Sequence, residues 1–275
     1  MRVFFVIAGL AWATGAWAQA ELTDVGGYKL DVQQGGKGDP TIVLVSGLAN
    51  TYEDWSKVFP QISELGRTMS YSRSGIGRSD PGPSRHTVKD NVAELHTLLS
   101  KLEVKKPILL VGRSYGSIIV RLYTSTYPTD VGGLVIVDGT HEQQVARWGK
   151  LDPTYPAAFK KSFDAALKGL KPGGEMDETL ETVRIQNAGA VDGLRPLPNI
   201  PIAVLTSMKV SPTPQYVNQS KEGHEEWRKM HDEWFARSSD GIHLLTSRAG
   251  HAIQNDEPQL VVLAIQFVLE RMRKK

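Results

Sequence analysis

The first place in this chain where residue types and spacing suggest chemistry is a serine between glycines, Gly112-Arg113-Ser114-Tyr115-Gly116. A fully apolar run, Ile108 to Val111, precedes it, and a stretch with helical character from about Ser117 to Tyr127 follows. A backbone that reverses from strand to helix within so few residues forces Ser114 into strained geometry. Gly112 and Gly116 lack the Cβ atoms that would collide in such a turn, so the hydroxyl is left projecting above the strand end. That hydroxyl is a poor nucleophile at neutral pH and needs a base to take its proton as it attacks.

His251, in Ala249-Gly250-His251, is the candidate base. It falls in the loop between a strand ending near Leu245 and the final helix, within reach of the same sheet edge. The other six histidines fit worse: His86 and His96 bracket a predicted helix, His141 opens an insertion, and His243 lies inside a strand. His224 and His231 are seven apart on one helical stretch, with no acidic residue placed to complete an H-E-x-x-H zinc motif. Surface or packing roles are expected for all six, and neither a metal nor a cofactor is expected.

A charged imidazole needs a carboxylate to orient it, and Asp138 closes the apolar run Leu134 to Val137. The resulting chain order is Ser114, Asp138, His251. The other usual place for the acid, the loop after Ile202 to Leu205, reads Thr206-Ser207-Met208-Lys209-Val210-Ser211 and holds no carboxylate. An aspartate at 138 can also simply cap a loop, which leaves Glu142 as the near substitute and Asp192 as the remote one. Acyl transfer further needs donors for a tetrahedral oxyanion, each worth about 10²–10³ in rate. The backbone N–H groups of Tyr115, directly after the serine, and of Leu48, after Ser46-Gly47, are the candidates.

These residues need elements to bring them together. Thr41 to Val45 and Thr68 to Arg73 read as strands, as do Ile108 to Val111, Leu134 to Val137, Ile202 to Leu205 and Ile242 to Leu245. Val88, Val92, Leu95, Leu99 and Leu102 mark one helical face, and Val261, Ala264, Ile265, Val268 and Leu269 mark another after Pro258. Strands alternating with helices predict an α/β fold with a mainly parallel, doubly wound sheet. Residues 141–199 interrupt the alternation with a helical piece (Phe159, Phe163, Ala166, Leu167, Leu170), Gly173-Gly174 and a Pro-containing exit. That insertion is expected to cap the substrate pocket, or else to pack as a subdomain without ligand contact.

Several function classes are disfavoured. Lys and Arg number 32 against 30 Asp and Glu, without a basic stripe, so nucleic acid is not an expected partner. In Gly75-Ile76-Gly77-Arg78-Ser79-Asp80 an aspartate stands where a dinucleotide loop has its third glycine, so that segment reads as structural. The absence of cysteine excludes disulfides, thiolate metal sites and a thiol nucleophile. At the N-terminus, Arg2, the apolar run Val3 to Ala18 and the closing Ala16-Trp17-Ala18 read as a secretory signal cleaved after Ala18. A mature domain of residues 19–275, periplasmic or secreted and without a stable membrane anchor, is expected.

Three stretches together resemble the α/β-hydrolase superfamily, and its esterase-like members in particular. They are Tyr71-Ser72-Arg73-Ser74-Gly75-Ile76-Gly77-Arg78-Ser79, Val111 to Gly116, and Gly250-His251 running on to Glu257-Pro258. The resemblance implies an α/β-hydrolase fold over nearly all of the mature chain. It also implies an acyl-enzyme on Ser114, with His251 as base and then acid. Relatives often carry histidine at the positions of Ser46 and Arg113 and aspartate at that of Ser72; none of these departures removes Ser114, Asp138 or His251. The expected activity is hydrolysis of carboxylic esters with small or medium apolar acyl groups. The alternatives are amide, lactone or carbon–carbon bond hydrolysis or perhydrolysis with the same triad, and a non-catalytic ligand-binding receptor. A dehalogenase is disfavoured because it needs an acidic nucleophile where Ser114 stands.

Overall fold

The structure is a computed structural model that describes residues 20–83, 86–236 and 238–274. The signal expected at residues 1–18 lies outside them. The described chain opens with β1 (Ala20–Asp24) and β2 (Lys29–Gly35), then runs β3 (Ile42–Val45), α1 (Phe59–Leu65), β4 (Thr68–Tyr71), α2 (Val88–Lys101), β5 (Ile108–Arg113) and α3 (Tyr115–Thr126). After β6 (Val131–Val137) come α4 (Gln144–Leu151), α5 (Tyr155–Gly169) and α6 (Gly174–Ala188). The chain returns through β7 (Ile202–Ser207), α7 (Lys221–Phe235), β8 (Gly241–Thr246), the single turn α8 (Ile253–Asp256) and α9 (Pro258–Lys274).

The strands form one sheet in the order β1-β2-β4-β3-β5-β6-β7-β8. All pairs from β4 to β8 are parallel, while β1 with β2 and β2 with β4 are antiparallel. Sequence reading missed the β1–β2 hairpin, because β1 is a half-exposed edge strand, AELTD, whose alternation carries few apolar side chains. From β3 the chain winds outward one way to β4, and from β5 the other way to β6. The crevice beyond the carboxyl ends of β3 and β5 is thus the switch point at which open α/β sheets bind ligands.

Period-two alternation sends strand side chains to opposite faces. Val43, Leu110, Ile136 and Val204 pack with Leu95 and Leu99 of α2 and Ile118, Ile119 and Leu122 of α3. Leu44, Val111, Val137 and Leu205 pack with Phe59 and Ile62 of α1 and Ile265, Val268 and Leu269 of α9. The central strands β3, β5, β6 and β7 are buried on both faces, which is why they read as nearly unbroken apolar runs. The α2 start is fixed by a capping box in which Thr87 and Asp90 satisfy each other's backbone donors.

Where one helical piece was expected in the insertion, the structure has three helices. The inward face of α6 is polar, with Glu178, Thr179, Glu181, Thr182 and Gln186 buried, so hydrophobic periodicity carried no sign of it. The covering layer also draws on chain beyond 141–199: Trp227 and Met230 of α7 join Val145, Trp148 and Tyr155 in a separate aromatic cluster.

Candidate active site

Ser114 is the residue between β5 and α3, at φ 48° and ψ −122°, a conformation that L-residues avoid. Such strain costs on the order of 1–3 kcal/mol and persists only where the surroundings impose it. Here Ser114 N–H donates to the Val137 carbonyl at 3.2 Å, and Thr140 N–H donates to the Ser114 carbonyl at 3.0 Å. A Cβ on Gly112 would come within 2.6 Å of Val120 Cγ2, and one on Gly116 within 2.3 Å of the Val45 carbonyl oxygen. The two glycines therefore let α3 lie against β3 and β5 closely enough to expose the serine at the sheet edge.

His251 Nε2 lies 2.9 Å from Ser114 Oγ, and His251 Nδ1 lies 2.6 Å from Asp138 Oδ2. A carboxylate only accepts, so Nδ1 carries the proton and Nε2 is left to accept from the Ser114 hydroxyl. His251 is half exposed, whereas Asp138 is buried directly after β6, itself in a left-handed conformation at φ 41°. The second oxygen, Oδ1, accepts from Ser207 N–H and from Trp227 Nε1–H, each at 2.9 Å. Burial pushes the Asp138 carboxyl up; the hydrogen bond and charge of His251, the charge of His231 and the Ser207 N–H together hold it below its ordinary value. Ser207 ends β7, where sequence reading found no acid, and the position instead supplies a donor to the acid of the neighbouring strand.

The two substitutes for Asp138 are elsewhere. Glu142 is paired with Arg121 at 2.5 Å, and Asp192 is paired with Lys89 at the surface. Of the remaining histidines, His96 lies within α2 and stacks on Tyr127, and His86 is bonded to Ser74. His231 is buried against the Gly139 carbonyl and the Thr206 hydroxyl, and burial drives its imidazole down to about 3.

The loop after β3 is bound on both sides. Gly47 N–H donates to Asp54 Oδ2 at 3.1 Å, and Asp54 also receives Arg113 and Gln254. On the other side, Ala49 N–H donates to Glu178 Oε2 at 3.0 Å, and Glu178 forms a fully buried ion pair with Arg73. The Arg73 guanidinium in turn donates to the carbonyls of Ser46 and Gly47, at 3.0 and 2.7 Å. Leu48 N–H, between these tied groups, has no partner among the described residues, and neither does Tyr115 N–H at the first position of α3. Both residues line the same cavity as Ser114.

That cavity measures about 650 Å³. Trp148, Tyr155, Phe159 and Phe163 from α4 and α5 give it an aromatic wall, while Lys209, Ser211, Asn218, Gln219 and His224 bring polar groups. Residues 209–227 thus line it along with the insertion. Sequence reasoning missed Trp227, Thr140, Asp54 and the Arg73–Glu178 pair, since each acts through a contact across distant chain that no local spacing announces. The Gly75 loop is not part of the cavity lining; a Cβ on Gly75 would meet the backbone nitrogen of Gly174 at 2.7 Å, so it serves the seating of α6.

A family model described as alpha/beta hydrolase fold matches residues 40–223. The uncharacterized protein YqjL of Bacillus subtilis (strain 168) is 26% identical to this chain over 254 residues, 92% of each. Among solved structures, a thermophilic esterase from Thermogutta terrifontis with malate bound superposes with a TM-score of 0.63 at 17% identity, covering 93% of this chain and 99% of the other. A bromoperoxidase from Bacillus anthracis superposes with the same TM-score of 0.63 at 16% identity, covering 92% and 100%. The two structures share this fold.

Proposed function

The chain belongs to the alpha/beta hydrolase fold family, and on that premise we propose that it is an exported serine hydrolase that cleaves carboxylic esters. The observation that carries the reading is the hydrogen-bonded line Ser114 Oγ, His251 Nε2, His251 Nδ1, Asp138 Oδ2, with steps of 2.9 and 2.6 Å, at the edge of a substrate-sized cavity. Ser114 Oγ attacks the ester carbonyl carbon as its proton passes to His251 Nε2. The carbonyl electron pair moves to oxygen, where the N–H groups of Leu48 and Tyr115 receive the negative charge. Collapse of this intermediate breaks the ester C–O bond, and His251 returns the proton to the departing alcohol. Water then attacks the acyl-enzyme with the same proton transfers, releasing the acid and restoring Ser114. Asp138 keeps Nδ1 protonated and balances the imidazolium without itself taking the proton.

The aromatic wall of Trp148, Tyr155, Phe159 and Phe163 supports an apolar acyl group of small or medium size. Export rests on the Arg2 to Ala18 segment with its Ala16-Trp17-Ala18 ending. The partner in this reading is a small-molecule substrate, with neither nucleic acid nor a membrane anchor after cleavage.

The test is a panel of p-nitrophenyl esters from acetate to laurate, run beside an amide and a lactone of matching size. The wild type turns over esters, and Ser114→Ala loses about 10⁴-fold or more of that activity. Turnover of the amide or the lactone in place of the esters would move the bond assignment, and inertness to every member would favour a receptor.

A further inference from the structure

The cavity holds a second imidazole that the hydrolysis above does not use. His224 lies in the first turn of α7, whose start is capped by Ser220 accepting from Gly223 N–H at 3.1 Å. His224 Nδ1 is 3.0 Å from the Ser207 carbonyl oxygen. That oxygen only accepts, so Nδ1 carries the proton, and Nε2 of the neutral ring is an acceptor. Among the described residues nothing bonds to Nε2, although His224 lines the same cavity as Ser114 and His251. The ring is fixed as well as free, because Ser207 holds Asp138 with its N–H and His224 with its carbonyl.

A second acceptor belongs to the lining of the same cavity. Gly223 packs so tightly on the preceding turn that a Cβ there would fall 1.8 Å from the Val217 carbonyl oxygen and 3.0 Å from Asn218 Cα. This brings Asn218, another cavity residue, against Gly223, the residue before His224, and among the described residues the buried Asn218 side-chain oxygen has no partner. A buried acceptor left without a donor is unfavourable.

We propose that His224, with Asn218 in the lining of the same cavity, selects substrates that carry a hydrogen-bond donor, a hydroxyl or an amide N–H, away from the ester carbonyl. This rests on the esterase reading of the cavity and narrows its substrate class. The apolar body of such a substrate lies among the aromatic residues while its donor meets Nε2. Sites built to bond a substrate hydroxyl discriminate against analogues that lack it, because their own polar groups are then left unpaired.

The experiment compares paired esters of equal length, hydroxylated and plain, in the wild type, His224→Phe and His224→Gln. The wild type favours the hydroxylated ester in kcat/KM by about tenfold or more. In His224→Phe that ratio falls toward one, and His224→Gln, which keeps an acceptor at similar reach, restores part of it. An unchanged ratio in His224→Phe overturns the inference. Equal losses on both esters also overturn it, since they would make His224 a support for Ser207 alone. Calorimetry with a hydroxylated and a plain methyl ketone of equal length reads the same preference without turnover. A wild type that binds both ketones equally overturns donor selection even if esters are cleaved. A wild type that cleaves no ester but prefers the hydroxylated ketone loses the esterase reading and keeps donor selection.

Discussion

Beneath Ser114 the sheet packs aliphatic side chains that solvent does not reach, Val43, Leu110 and Ile136 on one face and Leu44, Val111 and Val137 on the other. The cover above it is held differently, by a small aromatic cluster and by ion pairs such as Arg147 with Glu226 at 2.6 Å. Along the whole of α5 only Tyr155 is buried. Close packing on both faces lets the sheet impose the strained conformations of Ser114 and Asp138, so these two residues are fixed by closely packed parts of the chain. The cover buries less, as along α5, and a substitution there is expected to cost less stability. Two of the contacts that join the regions are prominent: Trp227 stacks on Trp148 at 5.0 Å and donates to Asp138, and Glu178 of α6 grips Arg73 beneath the Leu48 loop.

The largest effect expected from testing this contrast is at the sheet edge. Asp138→Asn should lower kcat by about 10³–10⁴ with the melting temperature little changed, because the imidazole loses its orienting carboxylate. Steady-state kinetics beside a thermal melt reads both, and near-wild-type turnover would break the claim that the strand ends hold the chemistry.

Next comes a paired stability measurement. Leu110→Ala, in the middle of β5, should cost about 2–5 kcal/mol in urea unfolding. Phe163→Ala, at the half-exposed cavity wall, should cost well under that and instead raise KM for the longer esters. Equal losses at the two positions would erase the distinction between floor and cover.

The smallest effect lies at the seam. His231 has its imidazole lowered from 6.5 to about 3 by burial. Between those values the unfolded chain binds a proton that the folded chain does not, so stability is fully present above about pH 6.5 and falls as the pH drops. The slope from one such proton is about 1.4 kcal/mol per pH unit. Urea midpoints from pH 7 down to pH 5 should fall in the wild type and fall less steeply in His231→Asn; identical slopes would remove His231 from the account.

The same contrast explains what the sequence made legible. β3, β5, β6 and β7 announced themselves because burial on both faces leaves an apolar run, and Ser114 and Asp138 were singled out because each follows such a run, His251 because it follows β8. The β1–β2 hairpin left no such trace, since an edge strand buries too little. α6 was invisible because its buried face is polar, and Glu178 finds its partner 105 residues away at Arg73. His224 was assigned to the surface or to packing, since its exposure to the cavity depends on the Ser207 carbonyl, which spacing along α7 does not encode.

The most direct test of the central claim is to treat the folded protein with a fluorophosphonate probe and map the modified peptide by mass spectrometry. The account predicts a single adduct on Ser114, formed more slowly in Asp138→Asn. An unmodified Ser114 in protein whose thermal melt is intact, or an adduct on a different serine, would contradict it.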